Sequence, residues 1–183
     1  MQKMSKPSLT RSKSSLAPRP ARGGAKTDLD KIVVNVGIGR FCNLPNFEEK
    51  ILPELVKGVG LMTGRRPATR AAKQSIAGFK IRKGNVVGLK VTLRGNRMVQ
   101  FLEKLNRVVL PRIRDFRGIS LKSIDVNGNL SIGIKEHITF PEIVPEQTRH
   151  ELGLEITIVP KNKSREEAVV FYRNLGVPLE RRK

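Results

Sequence analysis

The side chains with the most chemistry to offer in this 183-residue chain are its cations, and they are unevenly spread. Between Gly64 and Gly118 fifteen Lys and Arg meet only two acids, Glu103 and Asp115, a surplus of +13. Residues 1–27 carry seven Lys and Arg and no acid, and these two blocks account for the whole formal charge of +20. Charge gathered in this way makes a directional field, and the ligand such a field attracts most strongly is a polyphosphate. Bond-making chemistry finds little material. His137 and His150 have no motif neighbour that would make either a base or a metal ligand, and Cys42 has no histidine at a recognised spacing, so it reads as a small buried thiol. No CxxC, HExxH or paired-carboxylate pattern is present, and two acids in the basic block are poor material for a two-metal nuclease. Gly37-Ile38-Gly39 follows a strand pattern, but the third glycine of a dinucleotide loop would fall on Cys42, and Pro45 intervenes. These two glycines are better read as letting the backbone approach a helix or a ribose-phosphate chain closely. The expectation is a binding protein with no catalytic residue, cofactor or metal.

The totals agree with that reading. Removal of a basic tail leaves enough chain for one domain with one core, and a sequence pI near 11.0 puts nucleic acid first among partners. A lone cysteine suits a reducing compartment, and no stretch has the apolar length of a membrane span. Residues 1–27 are rich in Ser and Pro as well as Arg and Lys. They read as a disordered basic extension preceding a domain at 28–183, with an organelle transit segment as the alternative. Pro7, Pro18, Pro20, Gly23 and Gly24 argue against the amphipathic helix that such a segment needs.

Positioning these cations requires a scaffold, and hydrophobic periodicity supplies one. Lys31–Ile38 alternates as a strand, with Ile32, Val34, Val36 and Ile38 on one side and Val33, Asn35 and Gly37 on the other. Asn46 followed by Glu49 predicts a capping box opening a helix over Ile51, Leu55, Val59 and Met62; Pro53 either kinks it or marks its true start. Residues 67–84 read as irregular and basic. Val87–Arg94 is the clearest strand, with Lys90, Thr92 and Arg94 opposite its apolar face. A helix over Met98–Val109 is expected to stop before Pro111. Asn127-Gly128 predicts a hairpin between Ser123–Val126 and Asn129–Lys135. A strand over Leu152–Val159 follows, and then a helix opened by a Ser164/Glu167 box and closed by Gly176. The order predicts a single α+β domain, a mainly antiparallel sheet with helices packed on one face. The other face would stay open and display Asn35, Lys90, Thr92 and Arg94.

Aromatics are few, at 4%, and no strand shows the paired rings of a base-stacking sheet, so recognition should rest on phosphate, ribose and shape. Lys104 and Arg107, on the second helix, read as solvated. The cations Arg70, Lys73, Lys80, Arg82 and Lys83 repel one another unless anions compensate, so their loop, with Gly78 and Gly84, is expected to be mobile until it meets RNA.

Five segments resemble the large-subunit ribosomal protein five family in its bacterial form. They are Lys31–Gly39, Ser75–Gly84, Lys90–Met98, Pro111–Gly118 and Phe140–Ile143, in colinear order between about residues 31 and 178. The resemblance implies a sheet with helices on one side in a monomeric, cytoplasmic ribosomal protein, or an organellar one if 1–27 is a transit segment. The implied partners are 5S ribosomal RNA in the central protuberance, large-subunit RNA, P-site tRNA and neighbouring proteins of both subunits. Matched position by position, it assigns Asn35, Gly37, Gly39, Arg65, Lys90, Thr92, Arg94 and Arg97 to 5S RNA. It assigns Arg70, Lys73, Gln74, Ser75, Lys80, Arg82 and Lys83 to a tRNA-contacting loop, and Arg112, Arg114 and Arg117 to the subunit interface or large ribosomal RNA. The chain departs from the family in its opening, which is unlike the usual N-terminal helix, and at Arg65, where Gln is common. A free-standing basic regulator that binds structured RNA is the alternative class, and an RNA-acting enzyme a third.

Overall fold

A computed structural model describes residues 28–144, 150–161 and 163–180. The extension 1–27 lies outside them. Among the described residues the chain forms one five-stranded antiparallel sheet with helices packed against one face. Its strands are β1 (Leu29–Gly37), β2 (Ala68–Ala71), β3 (Val86–Leu93), β4 (Leu130–Ile134) and β5 (Leu154–Pro160), in spatial order β2-β3-β1-β5-β4. The register places Val34 opposite both Val91 and Ile156, and Ile156 opposite Ile132. One buried apolar row therefore crosses four strands, and alternation repeats it above and below.

The helices that close this face are α1 (Leu52–Thr63), α2 (Asn96–Lys104), its terminal turn α3 (Leu110–Arg112) and α4 (Arg165–Asn174). Leu55, Val59 and Met62 of α1 are buried in one core with Met98, Phe101 and Leu102 of α2 and Ala168, Phe171 and Tyr172 of α4. Each large apolar side chain among them contributes roughly 1.5–3 kcal/mol. Tyr172 directs its hydroxyl at the carbonyls of Gly128 (2.8 Å) and Ile158 (3.0 Å), tying α4 to β5 and to the turn before β4. Ser164 and Glu167 form the expected capping box.

Two expected helix boundaries change for one reason. The predicted Asn46/Glu49 box does not form, because Asn46 adopts a left-handed conformation and its side chain makes no cap. The chain instead opens on a π-helical turn, Phe47–Ile51, and Pro53 stands in the first turn of α1. A second π turn, Leu105–Val109, joins α2 to α3, and Pro111 lies inside the helical run that it was expected to stop. Both turns end at a Leu-Pro pair. Widening the backbone just before a proline relieves the clash between its ring and the preceding carbonyls, so the helix passes through.

Three further expectations are corrected. Residues 68–71, read as irregular, form the exposed edge strand β2, whose ladder to β3 runs from Ala68 opposite Lys90 to Ala71 opposite Val86. Ser123–Val126 is no strand and retains only the bridge from Ile124 to Leu130. Asp125 takes over the turn, accepting 2.7 Å hydrogen bonds from the backbone N–H and the Nδ2 of Asn129. Lys104 is not simply solvated: its ammonium donates 2.6 Å bonds to Met62 O and Glu142 Oε1, clamping α2 to the end of α1.

Candidate RNA interface

The sheet face away from the helices carries no covering element among the described residues, and strand alternation decides what it displays. One row across it runs Ala68, Lys90, Asn35, Glu155, Gly133, and the next runs Thr92, Val33, Thr157, Ser131. A third brings Arg70 opposite Gly88 and Gly88 opposite Gly37. The rows enclose an open trough of about 640 Å³ with Gly37, Gly88, Gly133 and Gly153 in its lining, and Arg70, Lys90, Lys135 and Glu155 supply its charges. Three cations against one carboxylate leave it electropositive.

These glycines are not there for backbone freedom, since none of the four has positive φ. A Cβ added to Gly37 or Gly133 would meet no atom within 4 Å. The protein has room for a side chain at both positions, and its absence keeps the trough deep enough for another molecule's backbone to reach the sheet.

The structure brings together some of the residues expected at a 5S RNA site. Asn35, Gly37 and Lys90 line the trough, and Thr92 stands one row above. Arg94 lies just beyond the end of β3, 3.9 Å from Asp30 in an exposed ion pair that contributes little to stability. Arg65 donates a 2.8 Å hydrogen bond to Thr92 O, at a stretch of β3 that β2 does not reach, so it caps an edge carbonyl. Gly39 and Arg97 lie elsewhere. Gly39 packs against Ile81 and Val87, and Arg97 stands beside Gly64, Gln100 and Lys104 in the helical layer.

The expected tRNA loop also divides. Arg70 belongs to β2 and lines the trough, so it groups with Lys90 and not with the loop. The remainder is a hydrogen-bonded ribbon. Ala72 and Asn85 bond at its base (2.8 Å), Ile76 and Ile81 exchange bonds of 2.9 and 3.2 Å, and Ser75 Oγ accepts from the Lys83 N–H at 3.0 Å. The loop thus has an internal fold of its own. Lys73, Gln74, Lys80, Arg82 and Lys83 all lie on this ribbon, with Phe79 at its tip. Arg112, Arg114 and Arg117 form a third group of cations, anchored to the C-terminal segment by the hydrogen bond from Ile119 N to Pro178 O.

The titratable groups give no sign of catalysis. Burial lowers the pKa of His137 and, with a smaller contribution from Glu48, raises that of the Cys42 thiol. His137 Nδ1 accepts from the Leu152 N–H at 3.1 Å, which leaves the proton on Nε2. Among the described residues no cluster of His, Cys, Asp and Glu could hold a metal ion, and no helix is long and apolar enough to cross a membrane. Sequence reading missed Gly88, Gly133, Gly153, Lys135 and Glu155. Their alternation was visible, but which strands lie side by side was not.

An uncovered antiparallel sheet with an electropositive, glycine-lined trough, backed by helices, defines an α+β protein of the open-platform class. Residues 86–179 match the model of the C-terminus of the ribosomal L5 family. The chain is 48% identical over 150 residues to "Large ribosomal subunit protein uL5" of Halothermothrix orenii, covering 82% of each chain. It is 47% identical over 151 residues to the protein of that name from Mycoplasma pneumoniae, again covering 82% of each. With that of Carboxydothermus hydrogenoformans the identity is 42% over 153 residues, covering 84% of this chain and 83% of the relative. The chain belongs to the uL5 family of large-subunit ribosomal proteins. The expectation of a non-enzymatic protein rests on that membership.

Proposed function

We propose that this chain is a structural component of the large ribosomal subunit in the cytoplasm and that it binds 5S ribosomal RNA through its open sheet face. The observation that carries this reading is the trough: four glycines line it, and Arg70, Lys90 and Lys135 outnumber Glu155. Its opening and charge suit a ribose-phosphate backbone recognised by shape, with Asn35, Thr92 and Thr157 as hydrogen-bonding groups. Bound there, the chain would help build the central protuberance. The ribbon 72–85 would touch P-site tRNA, and Arg112, Arg114 and Arg117 would meet large-subunit RNA or the small subunit. A monomer with neighbouring ribosomal proteins as its other partners fits this arrangement.

The test compares the Kd for 5S RNA with that for a generic duplex of equal length. The ribosomal reading expects a clear preference for 5S RNA, weakened by Lys90→Ala and by Thr92→Val without change in circular dichroism. Each lost contact is worth about 1–3 kcal/mol. Equal affinity for the two RNAs would favour a free-standing regulator instead.

A further inference from the structure

The ribbon 72–85 carries an apolar tip that its charge does not explain. Phe79 is 70% exposed and Ile76 48% exposed, in a stretch with no acidic residue between Gly64 and Leu102. The ring is held, not loose. Phe79 sits in a 3-10 turn, and its own N–H bonds to Ile76 O at 3.3 Å. Lys80 turns the chain sharply after it, at φ +53, and Asn43 Nδ2 reaches up from the domain to Phe79 O at 3.4 Å. Two backbone hydrogen bonds between Ile76 and Ile81 close the ribbon beneath the tip. An ordered ribbon thus presents an aromatic ring to solvent with Lys73, Lys80, Arg82 and Lys83 around it.

We propose that Phe79 stacks on an unstacked base face of a folded RNA while the neighbouring cations hold its phosphates. This rests on the reading that the ribbon meets tRNA, and it adds a stacking contact to a site otherwise described by charge. Every base has a flat face, so such a contact accepts any sequence yet requires a base plane to be exposed. Cations beside a ring also suit an anionic membrane surface, but one phenyl and one aliphatic side chain offer little apolar area for insertion. The charge around the tip points to a polyanion, and stacking uses a single ring.

The chain contains no tryptophan, so Phe79→Trp places the sole indole at the tip. Full-length Phe79→Trp protein is titrated with a folded tRNA transcript and, separately, with phosphatidylglycerol-containing vesicles. Stacking quenches the indole emission and shields it from acrylamide. In the same binding assay Phe79→Leu weakens tRNA affinity roughly tenfold, while Phe79→Tyr stays within about twofold of the parent. Unchanged emission at saturating tRNA, or a Phe79→Leu chain that binds as well as the parent, overturns the stacking. A blue shift with vesicles and no change with tRNA overturns it in favour of a membrane contact. The variant Lys73→Ala/Lys80→Ala/Arg82→Ala separates the two levels of the argument. If it binds tRNA like the parent, the ribbon is not the tRNA site and the proposal falls with that reading. If it weakens binding while the Phe79 variants do not, only the stacking fails.

Discussion

The trough and the ribbon share a charge sign and differ in almost everything else. The trough is concave, lined by glycines from four segments of the chain, and fixed by the register of five strands. The ribbon is convex, local in sequence, and held by its own hydrogen bonds and one from Asn43. A concave, rigid surface selects its partner by shape, because every contact is already placed and a poorly fitting duplex meets few of them. A projecting tip with four cations and a ring reads almost nothing of sequence, which suits a partner that changes while the contact stays the same. The cations alone would not separate these roles; the surface beneath them does.

The comparison breaks most readily at the glycines. Replacing Gly37 and Gly133 together with Val should leave folding intact, since neither Cβ meets an atom within 4 Å. The added side chains should hold an RNA backbone off the sheet and lose at least two contacts. That predicts a loss in 5S affinity of about 3 kcal/mol, or roughly a hundredfold, by filter binding or calorimetry. The same substitutions should leave tRNA binding through the ribbon unchanged. Exchanging residues 73–83 for a short turn should do the opposite, sparing 5S affinity and removing the tRNA contact, because Ala72 and Asn85 already close the base.

A smaller effect sharpens the contrast between shaped and unshaped charge. Deleting residues 1–27 removes seven cations, so the salt dependence of RNA binding should flatten while the preference for 5S RNA persists. Loss of that preference would make the extension a specific contact. The smallest effect should spare both RNA sites. Burial lowers the pKa of His137, so the unfolded chain takes up its proton first as pH falls. Stability contributed by neutral His137 is therefore complete above its ordinary value of 6.5 and drains away as pH drops from there toward the lower, folded-state value. His137→Gln should reduce this dependence in urea melts between about pH 7 and pH 5, with RNA affinity above that range unaltered.

How legible each region was in the sequence follows from the same contrast. β1, β3 and β5 announce themselves by alternation, because each has one face in the core, and the Ser164/Glu167 box is a local pattern that forms as written. β2 does not, since all four of its residues are exposed and only the ladder to β3 makes it a strand. That omission placed Arg70 in the loop. The trough itself was hidden in the same way: Gly37, Gly88, Gly133 and Gly153 are scattered through the sequence and become one lining only through strand order. Asn46 shows the limit of a local motif, because a π turn ahead of Pro53 displaces the box that its spacing promised. The ribbon's cations were plain, whereas its exposed ring was not, because exposure at a turn tip depends on where the turn falls.

On this account the open sheet face, and not the ribbon, holds 5S RNA. Photo-crosslinking from two positions in reconstituted large subunits tests it directly. A benzophenone side chain replaces Ser131, an outward position on β4 two residues from Gly133, or Phe79 at the ribbon tip. The account predicts 5S RNA crosslinks from position 131 and none from position 79, where P-site tRNA should be captured instead. Capture of 5S RNA from position 79, with none from position 131, would contradict it.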